Sequence, residues 1–332
     1  GMVTSRLGAG GAYNVVYGLD GILRVRGGDY MLLNWAQSFE DGKPNDAASL
    51  DPSRFRLAWE RRTQEGLGLN LSLSYSGKDY DPGMGFEWRE DFSRLGNRVQ
   101  YGWYPAEESF LIRHYVLAEG YAYFRNEDRT LESAEIGPGW GFSAKSGWNG
   151  EFALKMYRES VREEISFFDK AFVPPGDYTF AGLKGYFQTP FGALFYTTVT
   201  FDAGSFYDGW RATIGVEPTW GISSDLNLSG YYQFNRVEFK NRGQALTAQI
   251  LQARLLATLS TKFSASAFVQ YDSAADAVTV NFRLRYNPRE GNDLYLVINE
   301  GLNTDRAAYD PRRPPYSSRA ILLKYSYTFS FD

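Results

Sequence analysis

The sequence predicts an all-β fold of about 16–18 antiparallel strands in up-and-down order. Three observations predict it. Apolar residues take every second position in segment after segment, which is the side-chain period of a strand. Nothing in the chain keeps a convincing helical period. Connections alternate between short turns and long polar loops.

The clearest alternation closes the chain. Over 318–331, Ile321, Leu323, Tyr325, Tyr327, Phe329 and Phe331 share one parity, with Leu322, Lys324, Ser326, Thr328 and Ser330 between them. Val278, Val280, Phe282, Leu284 and Tyr286 alternate with Thr279, Asn281, Arg283, Arg285 and Asn287 in the same way. So do Leu67, Leu69, Leu71, Leu73 and Tyr75 against Asn70, Ser72, Ser74 and Ser76. Each such segment has one apolar and one polar face.

The same reading places strands, in order, near 13–25, 30–39, 53–62, 66–77, 96–104, 109–125, 132–147, 149–158, 178–189, 191–202, 209–220, 224–236, 246–260, 262–272, 276–287, 292–300 and 318–331. Segment 155–170 is the one place where a short helix in a loop is expected. Short turns fall at 26–29, 63–66, 105–108, 189–190, 260–262 and 288–291. Long loops rich in Asp, Pro, Gly and Arg fall at 40–52, 78–95, 159–177 and 301–317.

Composition narrows the classes. The 332 residues include no cysteine and one histidine. That excludes a disulfide scaffold, a thiolate zinc site, a cysteine nucleophile and a multi-histidine metal centre, and no cofactor is expected. No uncharged apolar run reaches the roughly 18–20 residues of a transmembrane helix. The net charge of −4 gives no electrostatic case for nucleic acid. One puzzle remains: the chain is 17% aromatic yet has a mean hydropathy of −0.40.

Alternation alone fits a soluble sandwich as well as a membrane barrel. Charges line the polar face at Arg54, Arg56, Glu60, Arg98, Arg113, Glu119, Glu135, Lys145, Glu151, Lys155, Lys184, Arg211, Glu217, Arg254, Arg283, Arg285 and Lys324. In a soluble fold that face meets water and the apolar face is the core; in a membrane barrel the apolar face meets lipid instead. Aromatics at strand ends favour the barrel. Trp59, Trp103, Trp140, Trp210, Trp220, Phe191, Tyr271, Tyr286 and Phe331 sit where two interfacial girdles belong. So many strands also leave a wide lumen, which water and polar groups fill more readily than a dry core. The missing cysteines fit passage through an oxidising periplasm.

The expected fold is therefore a transmembrane up-and-down barrel with long extracellular loops and short periplasmic turns. Its expected place is the outer membrane of a Gram-negative bacterium, with membrane lipid as its first partner. The expected lumen-lining residues are Arg54, Arg56, Arg98, Arg113, Glu119, Arg211, Glu217, Arg254, Arg283, Arg285 and Lys324. If 318–331 ends in the periplasm, counting back makes 13–25 a descending strand. Residues 1–7 then read as the end of an ascending strand, with 8–12 as its outer loop, for an even total of about eighteen. On this reading 1–332 is one barrel domain from the C-terminal part of a longer chain.

Segments 14–24 (NVVYGLDGILR), 75–90 (YSGKDYDPGMGFEWRE), 173–178 (VPPGDY) and 286–304 (YNPREGNDLYLVINEGLNT) carry a resemblance. Their order and spacing resemble a family of outer-membrane β-barrel domains of unknown function, which typically follow a carbohydrate-binding domain similar to the family-nine modules. The resemblance runs from about residue 14 to the C-terminus. It implies location and architecture, and a periplasmic binding domain in the full-length chain, but no reaction. The chain departs from the usual barrel signal in ending on Asp332 rather than an aromatic.

Reactive groups are sparse. His114 lies on the apolar parity, no serine stands two residues away on its strand, and an interfacial histidine is the reading that fits. No catalytic residue is assigned. Asp79, Asp81, Glu87, Glu90 and Asp91 gather in one loop, but their spacing matches no calcium loop. That loop is expected to fold inward as a constriction or plug, with Asp79, Asp81 and Glu87 in it and Phe86 and Trp88 packed on the wall. Arg283 and Arg285 favour either an anion-selective lumen or neutralising ion pairs. Tyr80, Trp88, Phe167, Phe168, Tyr309 and Tyr316 are either sugar-stacking platforms or packing anchors. Two functions follow: a channel or uptake pore for nutrients such as glycans, or an anchoring barrel whose lumen its own loops plug.

Overall fold

A computed structural model of the chain describes residues 1–168 and 170–329. Eighteen strands join in one antiparallel sheet, and two short ones form a separate ribbon. The strands are β1 (Met2–Leu7), β2 (Tyr13–Arg26), β3 (Asp29–Glu40), β4 (Ser53–Arg61), β5 (Gly66–Ser76), β6 (Phe92–Trp103), β7 (Leu111–Arg125), β8 (Leu131–Ala144) and β9 (Asn149–Val161). The ribbon follows as β10 (Ile165–Phe167) and β11 (Ala171–Val173). The chain continues with β12 (Gly176–Gln188), β13 (Phe195–Phe206), β14 (Gly209–Gly221), β15 (Leu226–Phe239), β16 (Gln244–Thr258), β17 (Phe263–Asp272), β18 (Ala277–Arg289), β19 (Asn292–Asn303) and β20 (Tyr316–Tyr327). Among the described residues no helix is long and apolar enough to cross a membrane, which says nothing of membrane-crossing strands.

The class is the predicted one: all-β, antiparallel and up-and-down. Each sheet strand pairs with its neighbour in the chain, and β9 pairs with β12 past the ribbon. Residues 1–7 are indeed strand, with Leu7 opposite Tyr13 and Met2 opposite Gly18. Every long connection (41–52, 77–91, 162–175 and 304–315) follows an odd-numbered strand. The even-numbered strands of the sheet are followed by shorter connections, such as 27–28, 62–65 and 290–291.

Contacts divide the chain into two compact units. One comprises Gly1–Lys145, Glu151–Ile165 and Val173–Leu183; the other comprises Ser146–Gly150, Ser166–Phe172 and Lys184–Asp332.

Register confirms the two faces within each. In the first unit one row runs Leu33, Leu57, Leu73, Leu95 across β3–β6. These side chains are exposed, Leu33 by 54% and Leu95 by 52%. In the second, Leu228, Leu255, Ala267, Phe282, Ile298 and Ile321 form the equivalent row across β15–β20. Buried side chains cluster beside the connections: Gln37 and Ser38 near the end of β3, Ser76 at the end of β5 and Phe92 at the start of β6 in the first unit, and Phe239 at the end of β15 in the second.

Several expectations are corrected. Segment 155–170 is not helical. Lys155, Tyr157 and Glu159 alternate with Met156, Arg158 and Ser160, so β9 runs on to Val161 before the turn and ribbon. The strand expected at 191–202 lies at 195–206, because the connection spans 189–194 through Pro190 and a left-handed Gly192 at φ +104°. Phe191 consequently belongs to that turn, where it packs on Tyr196 at a tilt with ring centres 4.5 Å apart, and not to a strand end. Lys145 follows the end of β8 and donates to the Glu107 carbonyl, so it is a turn residue rather than a strand one. Ser330, Phe331 and Asp332 lie outside the described residues, and with them the terminal part of the aromatic signature.

Candidate functional site

The polar face of the first unit carries a connected ion network across β6–β9. Register sets Arg98 directly opposite Glu119. Arg98 donates to Glu119 and also to Glu151, the latter at 2.6 Å. Tyr115 donates to the same Glu151 at 2.6 Å. Lys155 lies 2.7 Å from Glu119 and 2.9 Å from Glu135, and is 2% exposed. Burying an ammonium group is costly unless close carboxylates answer it, and here two do. Two cations and three carboxylates thus satisfy one another. Glycine makes room for them: Gly137, on the polar parity between Glu135 and Gly139, would place a Cβ 1.7 Å from the Leu154 carbonyl.

Loop 77–91 docks on the same unit's polar-face side chains. Asn14 donates to the Asp81 carbonyl at 3.1 Å and accepts from the Gly83 amide at 3.1 Å. Ser38 donates to the Asp79 carbonyl at 3.3 Å and accepts from the Asp81 amide at 3.1 Å. Arg54 pairs with Glu87, Arg6 donates to the Gly83 carbonyl at 3.3 Å, and Arg89 pairs with Glu132 at 3.0 Å. Only glycine fits at 83, since a Cβ there would lie 2.5 Å from Asn14 Oδ1. Between loops 41–52 and 77–91 lies a polar cleft of about 270 Å³, lined in part by Glu40, Lys43, Asp79, Asp81 and Glu87. Tyr80 borders it, and burial raises its phenol above the ordinary value. Lys78, bonded to Asp51, is held above the usual lysine range.

The loop therefore docks on the polar face, but its aromatics do not pack on the strands as expected. Phe86 and Trp88 meet each other edge to face at 5.0 Å and stay 74% and 87% exposed. Polar bonds hold the loop instead. Among the described residues no group of three or more His, Asp or Glu side chains converges on a cation-sized site.

In the second unit the ribbon docks on the ends of β13 and β16. The ribbon's Phe167 packs on Phe206 at 5.9 Å, Phe206 stacks on Phe239 at 6.3 Å, and the Phe172 amide donates to Gln244 at 3.1 Å. Phe167 is thus a packing anchor. Tyr309 is covered by the Arg313 guanidinium at 3.4 Å, and Tyr316 by that of Arg319 at 4.1 Å.

The remaining predicted residues are distributed. Arg113 donates to the Gln64 carbonyl at 2.8 Å and lies over Tyr115. Arg56 and Glu217 keep the polar parity without an ion pair among the described residues. Arg211 pairs with Asp202 at 2.7 Å, and Arg285 with Asp293 at 2.6 Å. Arg254, Arg283 and Lys324 share the polar parity of β16, β18 and β20. His114 stacks on Trp103 at 5.1 Å beside turn 104–110, which suits an interfacial ring.

Sequence reasoning missed Asn14, Gln37, Ser38 and Gly83. Gln37 falls on the apolar parity, yet it is 1% exposed and donates to three carbonyls of loop 41–52. A lone amide among Trp35, Phe39 and Leu33 was the available signal. No protein-family model and no curated protein matches the chain.

Proposed function

We propose that the chain is an outer-membrane β-barrel, its sheet closed in the bilayer, that serves as a channel or uptake pore for small polar solutes, glycans among the candidates. One observation carries this reading. In-register apolar rows cross each unit opposite a polar, charged face: Leu33, Leu57, Leu73 and Leu95 are all exposed in the first, and Leu228, Leu255 and Ile321 are exposed with half-buried Ala267, Phe282 and Ile298 between them in the second. Such rows exceed what water-facing surfaces leave bare, and lipid accounts for them. The placing of every long connection after an odd-numbered strand and the resemblance to outer-membrane barrel domains accord with it. The family's binding domain would then stand on the periplasmic side.

A plugged, anchoring barrel is the second reading, favoured by the docking of loop 77–91 on the polar face. One experiment separates the two: single-channel recording of the detergent-refolded protein in planar bilayers, beside a variant with 79–90 replaced by a short Gly-Ser linker. Steady conductance of the wild type supports the pore. Conductance in the shortened variant alone supports the plug, and a protein monodisperse without detergent sinks both.

A further inference from the structure

The polar face of β16–β20 is charged differently from the network on β6–β9. Register places Arg254 opposite Phe268, Phe268 opposite Asn281, and Asn281 opposite Asn299. One step along the strands, Ser266 faces Arg283 and Arg283 faces Val297. A further step aligns Arg285, Tyr295 and Lys324. Strands lie about 4.8 Å apart and rise about 3.4 Å per residue, so Arg254 and Arg283, and likewise Arg283 and Lys324, two strands and two residues apart, are roughly 12 Å apart along a diagonal.

Of these four cations only Arg285 has a carboxylate, Asp293. Among the described residues Arg254, Arg283 and Lys324 make no ion pair, and Asp272 is occupied by the amides of Ala274 and Ala275. Each guanidinium instead lies over an aromatic ring. Arg254 lies 5.6 Å from the Phe268 ring centre and Arg283 lies 4.6 Å from that of Tyr295. A ring contact takes up no N–H donor, so the guanidinium fork can still answer carboxylate or phosphate oxygens. The neighbouring amides answer one another, Gln252 donating to Gln270 at 3.0 Å and Asn281 to Asn299.

We propose that Arg254, Arg283 and Lys324 form an anion-binding track for small solutes bearing phosphate or carboxylate groups. Its place in a lumen rests on the pore reading above; its affinity for an oxyanion does not.

The probe is inorganic pyrophosphate, titrated calorimetrically into the refolded full chain at low ionic strength. Saturable binding near millimolar affinity is expected. Removing each cation by Arg254→Gln, Arg283→Gln or Lys324→Gln weakens it about threefold to tenfold, and the triple variant abolishes it. Lys240→Gln, which removes a turn charge off the track, leaves it unchanged. Heat-modifiable gel migration establishes that each variant is folded, and the single variants decide the matter if the triple does not fold.

No saturable binding by the wild type, or equal binding by the folded variants, overturns the track. Recordings under a KCl gradient then separate the two claims. Pyrophosphate binding by a protein that never conducts supports the track and refutes the pore. Conductance without binding refutes the track alone. A chloride-preferring reversal potential that moves toward potassium in the variants supports both.

Discussion

Lys155 and Glu119 meet at 2.7 Å on the polar face of the first unit, with the lysine almost wholly withdrawn from solvent. Glu119 also accepts from Arg98, so the lysine stands at the centre of a chain of charges rather than in an isolated pair. Replacing it by methionine keeps the volume but leaves Glu135 without a cation and Glu119 with Arg98 alone. Lys155→Met is expected to lower stability by about 3 kcal/mol, as for other broken buried pairs. Urea denaturation in detergent measures it; a shift below about 1 kcal/mol would show that water already solvates the network.

Gly83→Ala sets a methyl against Asn14 Oδ1 and detaches the loop's clamp. Loop 77–91 should become several-fold more sensitive to limited proteolysis, while strand protection in hydrogen exchange stays unchanged. Arg54→Gln, which removes the partner of Glu87, should have the same effect. Unaltered cleavage in both variants would mean that loop contacts elsewhere suffice.

Turn 126–130 contributes a pH dependence. Asp128 is held at about 2, first by the Thr130 hydroxyl and amide and then by Arg162. A carboxyl depressed on folding stabilises above its unfolded value near 3.9, and that contribution is lost as pH falls from about 4 to about 2. Asp128→Asn should flatten the acid limb of the thermal midpoint in that window and leave the neutral region nearly unchanged. An acid limb of identical slope in the variant counts against the assignment.

The exposed row Leu33–Leu57–Leu73–Leu95 offers a test of the bilayer itself. Leu95→Arg should cost about 2–4 kcal/mol when the protein refolds into lipid vesicles, the penalty for a guanidinium near the midplane of a barrel wall. The same change at exposed Phe86, in loop 77–91, should cost nothing measurable. Equal, negligible effects at both positions would contradict a lipid-facing row.

Most of the sheet was legible because strand geometry writes its faces into the chain at period two, and here both faces are long and consistent. Residues 1–7 were placed by counting directions rather than by any local signal, and Met2–Leu7 is strand. Three-residue strands such as Ile165–Phe167 give too few alternations to register, and KMYRESV offered charges on both parities, so the end of β9 read as helix. The charge network was visible as a list of polar-face residues but not as a circuit. Which carboxylate answers which cation depends on register, and β-strand register is not a local property. The loop clamps were the least accessible part, since Asn14 and Ser38 act through backbone groups that carry no sequence signature.

The sorting of connections divides the chain for an engineer. A tag or epitope placed in 304–315 lengthens a connection that already spans more than one turn of chain, and the cost of further slack grows only slowly with length. The same insertion at Gly291 meets the Thr328 side chain 3.0 Å from where a Cβ would stand, in a turn that fixes the pairing of β18 with β19. Connection 304–315 can therefore carry an insertion, while turn 290–291 tolerates little beyond the residues it has.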